Sequence, residues 1–129
     1  MLYSERLENA PRSSAAARRV VERLGDAVDE MTLANLRLLV SELVTNAIEH
    51  GTPGGEIGLE VGLDDGTVRV EVTDQGGGFV VRPREPGDSM SSGWGLHFVE
   101  LLAERWGSDG DGRTRVWFEM PARVPARRA

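Results

Sequence analysis

Apolar residues along this chain follow two rhythms. From Ala17 to Ile48 they recur every three or four positions; from Ile57 to Val72, and again from Val116 to Met120, they alternate with polar neighbours. The first spacing lines one face of a helix, the second one face of a strand. A first helix is predicted with Ser13 or Ser14 as its cap, with Ala17, Val20, Val21 and Leu24 at helical spacing and Gly25 ending it. A second is predicted from near Thr32 to His50-Gly51, where Leu36, Leu39, Val40, Leu43, Val44, Ala47 and Ile48 form a continuous apolar stripe.

Ile57, Leu59, Val61 and Leu63 then alternate, Asp64-Asp65-Gly66 turns the chain, and Val68, Val70 and Val72 alternate back, which predicts a β-hairpin. The stretch from Gly76 to Gly95 has neither period and is rich in Gly, Pro and Ser, so it is a loop, long enough to suggest function. A third helix is predicted with Leu96, Val99, Leu102, Ala103 and Trp106 on one face, then a turn at Gly110 to Gly112, then a last strand carrying Val116, Phe118 and Met120. Further edge strands are sought near residues 2–7 and 79–82. Helices bracketing antiparallel strands predict an α+β fold, a two-layer α/β sandwich whose mostly antiparallel sheet is covered on one face by helices.

With 129 residues, one domain is expected, and no apolar run approaches the length of a membrane span. The start of the chain has no pattern of a secretion signal, and the absence of cysteine excludes disulfides and thiolate metal sites, as suits a cytoplasmic protein. A net charge of −6 argues against direct nucleic-acid binding. All 15 basic residues are arginine, so no lysine exists to serve a P-loop or a protein-kinase phosphate contact.

Three short segments carry candidate chemistry. Glu42 and Asn46 lie four residues apart on the second helix, about 40° from each other and on the flank of the apolar stripe, where a ligand can meet them. Alone, the pair is read as the polar border of a core helix. Asp74 stands at the end of the second hairpin strand, just before Gly76, Gly77 and Gly78; glycines let backbone turn sharply or lie against a ligand, and a carboxylate at a strand end can accept a hydrogen bond from an adenine amino group. Gly93 and Gly95 open the third helix, where backbone amides bind anions. His50 and His97 are assigned structural or neutral roles, and Trp106 and Phe118 are assigned to the core.

In this order the segments resemble a known family. SELVTNAIEHG resembles the N-box of the GHKL ATPases, the Bergerat fold of gyrase, heat-shock chaperones and histidine kinases; VTDQGGGF resembles their first glycine box and SGWGLHFVELLAERWG their second. The resemblance spans about Ala15 to Pro121, leaving residues 1–14 as an N-terminal segment and 122–129 as a basic tail. The ending GRTRVWFEMP is similar to that of the anti-sigma factor kinases. It implies ATP and magnesium as cofactors: Asn46 as metal ligand, Asp74 at the adenine, Gly76 and Gly78 shaping its pocket, residues 80 to 94 as a lid, Gly93, Gly95 and Leu96 at the phosphates, and Thr114 in the adenine network.

Within the family, Glu42 decides the branch, because histidine kinases usually carry Asn there. A glutamate is a base able to orient water or a serine hydroxyl. The implied function is an anti-sigma factor and serine kinase, with a sigma factor and a STAS-type antagonist as partners and a homodimer as a further implication. The alternatives are an ATP-binding module that sequesters its partner with little turnover, and a detached histidine-kinase-type ATPase domain. Trp94 departs from the basic residue expected between the last glycines, with Arg82 or Arg84 as substitute cations; this bears on rate more than on binding.

Overall fold

The computed structural model describes residues 1–50, 54–74, 94–110 and 114–122. The elements in order are β1 (Leu2–Glu8), α1 (Ser13–Glu22), α2 (Glu30–His50), β2 (Glu56–Asp64), β3 (Thr67–Asp74), α3 (Trp94–Leu102), β4 (Arg105–Gly110) and β5 (Thr114–Pro121). The strands form one sheet in the order β1-β2-β3-β5-β4, every neighbouring pair antiparallel. Helices α1 and α2 lie side by side, α2 crosses β3, and α3 packs between α2 and β4. This is the α+β sandwich expected from the sequence.

Strand parity creates the core. Ile57, Leu59 and Val61 on β2, Val68, Val70 and Val72 on β3, and Val116, Phe118 and Met120 on β5 are buried, as are Leu36, Leu39, Val40, Leu43, Val44 and Ala47 on α2. The hairpin closes through Asp65 (φ 51°) and Gly66 (φ 75°), the pair of left-handed residues that a two-residue turn between twisted strands requires.

Several local expectations are corrected. Neither Ser13 nor Ser14 caps α1. The N-cap is Arg12, which makes no side-chain capping bond, while the Ser13 hydroxyl donates to the Glu8 carbonyl at 2.6 Å and the Ser14 hydroxyl meets that of Thr45 at 3.0 Å. Both serines tie the helix to its neighbours instead. The helix ends at Glu22, before Gly25, and α2 begins two residues before Thr32 because the Asp29 carboxylate accepts from the Thr32 amide at 2.8 Å.

Residues 2–8 form the edge strand sought there; residues 79–82 lie outside the described residues. Trp106 is not on α3. That helix ends at Leu102, and Trp106 stands in β4 opposite Phe118, where a cross-strand aromatic pair overrides helical spacing.

The outer face of the sheet carries a lattice of charge. Arg69 pairs with Glu119 at 3.0 Å and Glu71 at 3.5 Å, Arg105 with Glu119 at 3.2 Å, and Arg115 with Glu71 at 3.5 Å. Arg69 also lies 4.3 Å from the centre of the Trp117 ring, and Trp117 in turn covers Gly107, its register partner. A Cβ at Gly107 would sit 2.9 Å from that ring. Gly107→Ala is therefore expected to destabilise the fold by about 1–3 kcal/mol in urea unfolding, and the loss should largely disappear in a Trp117→Ala background.

Candidate functional site

The alternation of β3 determines where its last residue goes. Val68, Val70 and Val72 point into the helix layer, and Asp74 continues the same parity, so its carboxylate is directed inward and is only 1% exposed. Its Oδ2 atom is buried and accepts no hydrogen bond from the described residues, although the side chain has other interactions. In the register, Asp74 stands between Ile57 of β2 and Thr114 of β5.

Glu42 and Asn46 are half-buried on α2, on the flank of its buried stripe as the sequence suggests. A short chain of contacts carries the C-terminal half of α2 to the Asp74 end of the sheet. The Asn9 side-chain amide donates to the Ala47 carbonyl at 3.4 Å, and its backbone amide donates to the Gly55 carbonyl at 2.9 Å. Gly55 precedes β2, whose Ile57 pairs with Asp74. Asn9 thus staples the site's scaffold together. Sequence inspection misses it, since an Asn beside Pro11 is indistinguishable from an ordinary turn residue.

The start of α2 belongs to the opposite pole, where Met31 shares a cleft with Leu102 and Met120. Because α3 ends in that cleft, its first turn, which carries Gly95 and Leu96, lies about 12 Å away along the helix axis. The structure thus brings Asp74, the Thr114 backbone and the Glu42–Asn46 half of α2 to one end of the molecule. Gly76, Gly78 and Gly93, the segment 80–94 apart from its last residue, and the tail from 123 onward lie outside the described residues, as do the side chains of His50, Trp94, Leu96, His97 and Thr114.

The electrostatics of α2 favour a basic carboxylate. Burial pushes the Glu42 carboxyl above its ordinary range, and the like charge of Glu49, seven residues on, pushes it further. The i, i+7 spacing that stacks the two acids on one face is visible in the sequence. Most arginines in the described part are committed elsewhere: Arg69, Arg105 and Arg115 to the outer sheet face, Arg12, Arg23 and Arg37 to Glu8, Glu5 and Glu22, and Arg18 to the Ser41 hydroxyl.

Residues 7–120 match the model of the histidine kinase-like ATPase domain. The chain belongs to that family. Within it the likeness in sequence is to the anti-sigma factor kinases: 35% identity over 89 residues with the anti-sigma F factor of Geobacillus kaustophilus, covering 65% of this chain and 60% of that protein, and 26% over 99 residues with the serine-protein kinase RsbW of Bacillus licheniformis, covering 66% and 61%. The chain thus spans about three-fifths of the length of these relatives. In structure it is similar to the histidine kinase domain of the Erythrobacter litoralis EL346 blue-light activated kinase, with a TM-score of 0.59, 21% identity, and coverage of 92% of this chain and 68% of that one. That likeness supports the fold. No helix among the described residues is long and apolar enough to cross a membrane.

The raised Glu42 pKa has a consequence for stability. The folded state holds that proton more tightly than the unfolded chain, so the contribution is present in full below the ordinary carboxylate pKa and is lost as pH rises through the folded value. Glu42→Gln is therefore expected to raise the melting temperature at pH 7–8, by no more than ~4 °C for a group half-open to water, with the gain closing toward pH 4. Differential scanning calorimetry across that range checks it.

Proposed function

We propose that this chain is an ATP-dependent anti-sigma factor and serine/threonine kinase, with residues 15–121 as its catalytic domain and Glu42 as the base. The observation that carries the reading is the buried carboxylate of Asp74 at the end of β3, on the same end of the sheet as the Glu42–Asn46 flank of α2. A carboxylate kept out of water at the mouth of a sheet suits an exocyclic adenine amine, which supplies the N–H donor that guanine lacks at that place. Gly76 and Gly78 would shape the pocket around the base, and Thr114, Asp74's neighbour in the register, would join its hydrogen bonds.

Asn46 has the donor chemistry to hold magnesium through its amide oxygen. When bound, the ion neutralises charge on the triphosphate. The backbone amides of Gly93, Gly95 and Leu96 would do the same at the phosphates. This division of labour accounts for a chain without lysine. Glu42 then accepts the proton of a serine hydroxyl as that oxygen bonds to the γ-phosphorus and the bond to the ADP oxygen breaks. Its raised proton affinity strengthens it as a base, and activity should fall as pH drops through its elevated pKa.

The substrate serine is assigned to a STAS-type antagonist and the sequestered partner to a sigma factor, on the strength of relatives named anti-sigma F factor and serine-protein kinase. These assignments imply a cytoplasmic protein, with a homodimer as the simplest assembly. Incubation with labelled ATP, magnesium and candidate antagonists, followed by phosphoserine detection, tests the reading. Transfer to none of them, beside intact ATP binding, would favour a sequestering module.

Three substitutions dissect the site. Asp74→Asn should weaken ATP binding by about 1.5–3 kcal/mol and reduce its preference over GTP; equal affinity by calorimetry would remove Asp74 from the adenine. Glu42→Gln should retain nucleotide while slowing phosphotransfer ~10²–10⁴-fold, whereas Asn46→Ala should lose magnesium-dependent affinity as well as rate. Single-turnover assays separate the two patterns.

A further inference from the structure

At the pole opposite Asp74, the start of α2, the end of α3 and the end of β5 enclose a cleft of about 310 Å³ lined by Met31, Thr32, Asn35, Leu102, Glu104 and Met120, among others. Its surface is mixed: Met31, Leu102 and Met120 supply apolar contacts and Thr32, Asn35 and Glu104 polar ones, and the two thioether side chains can repack around different shapes. Only four large hydrophobic side chains stand exposed among the described residues. Two are at the chain start; of the others, Met31, 68% exposed, lines this cleft, and Leu101, 66% exposed, precedes the lining residue Leu102 on α3.

The rim is acidic. Glu104 lines the cleft and Glu30 precedes Met31 at the start of α2; both are exposed, and neither is in an ion pair among the described residues. Among the described residues no basic side chain lines the cleft. The contrast with the outer sheet face is informative, because there each glutamate of the lattice is matched by arginine. Methionine and leucine surface beside carboxylates that no arginine pairs among the described residues complements a helix with an apolar stripe flanked by arginine or lysine.

We infer that this cleft is a docking site for a basic amphipathic helix of a partner protein, separate from the nucleotide end of the molecule. Apolar residues at i, i+3 and i+4 of the incoming helix would fill the space between Met31, Leu102 and Met120, and its cations would face Glu30 and Glu104. A second copy of this chain fits less well, because it would bring the same two carboxylates, Glu30 and Glu104, against their own copies.

The test uses the full ¹⁵N-labelled chain and a synthetic helix with leucines at i, i+3, i+4 and i+7 flanked by arginines. Saturable binding is expected, with chemical-shift changes centred on Met31, Leu102 and Glu104, and weakening as salt rises. The Glu30→Arg/Glu104→Arg double variant and Met31→Asp should each bind at least ~10-fold more weakly, a change of about 1.4 kcal/mol. A peptide with glutamates in place of arginines should bind the charge-reversed variant better than the wild type. Unchanged circular dichroism and melting temperature of the variants keep the comparison interpretable. Equal binding of the acidic peptide to the wild type, shifts centred elsewhere, or no binding at millimolar peptide would overturn the inference. So would a wild-type dimer that Met31→Asp converts to monomer, which would mean that a second copy covers the cleft.

Discussion

A strand buried on one face must give every second side chain to the core, and that constraint positions the site. On β3 the parity runs through Val68, Val70 and Val72 without a bulge, so the next inward position is fixed at Asp74. A one-residue slip would turn the carboxylate out to solvent together with all three valines, which makes the register of the core and the placement of the acid a single property. Burial of an acid is costly without compensating interactions.

Helix α2 is the second half of the scaffold. Its buried arc spans Leu36, Leu39, Val40, Leu43, Val44 and Ala47, and on one side it is tied to α1 by the Ser14–Thr45 and Arg18–Ser41 contacts and by Arg37 with Glu22. The other flank carries Glu42 and Asn46 one turn apart. The polar tethers and this pair thus occupy opposite borders of one apolar stripe, so neither competes with the other for partners. Each border is only half-buried, which leaves Glu42 wet enough to ionise and dry enough for its proton affinity to rise.

Much of this was legible in the sequence because it follows from periodicity. The hairpin, its turn and the apolar stripe of α2 are set by local pattern, and the structure places them as expected. Two departures come from partners that periodicity does not show. Ser13 looks like a cap but finds the Glu8 carbonyl; Trp106 continues a helical spacing but pairs with Phe118 across strands. Strand β1 was only suspected, because its sequence has little apolar alternation and it is held mainly by backbone pairing with β2. The inward direction of Asp74 was readable from the valines before it. The role of Asn9 was not, since its two acceptors lie 38 and more residues away along the chain.

The same two helices reach both poles, and this determines what kind of communication is physically available. One end of α2 carries Glu42 and Asn46, and the other carries Met31 at the cleft; α3 begins with Gly95 in its first turn and ends with Leu102 in the same cleft. Between them the contacts are close-packed, so a helix cannot compress, but it can tilt or slide over the valine face of the sheet as a unit. A partner held at the cleft would act on the nucleotide end only insofar as it prefers one position of α3 over another. By reciprocity, nucleotide would then alter affinity at the cleft by the same factor. Rigid helices shared by two ends, rather than a mobile path between them, are therefore the element through which any coupling in this molecule has to pass.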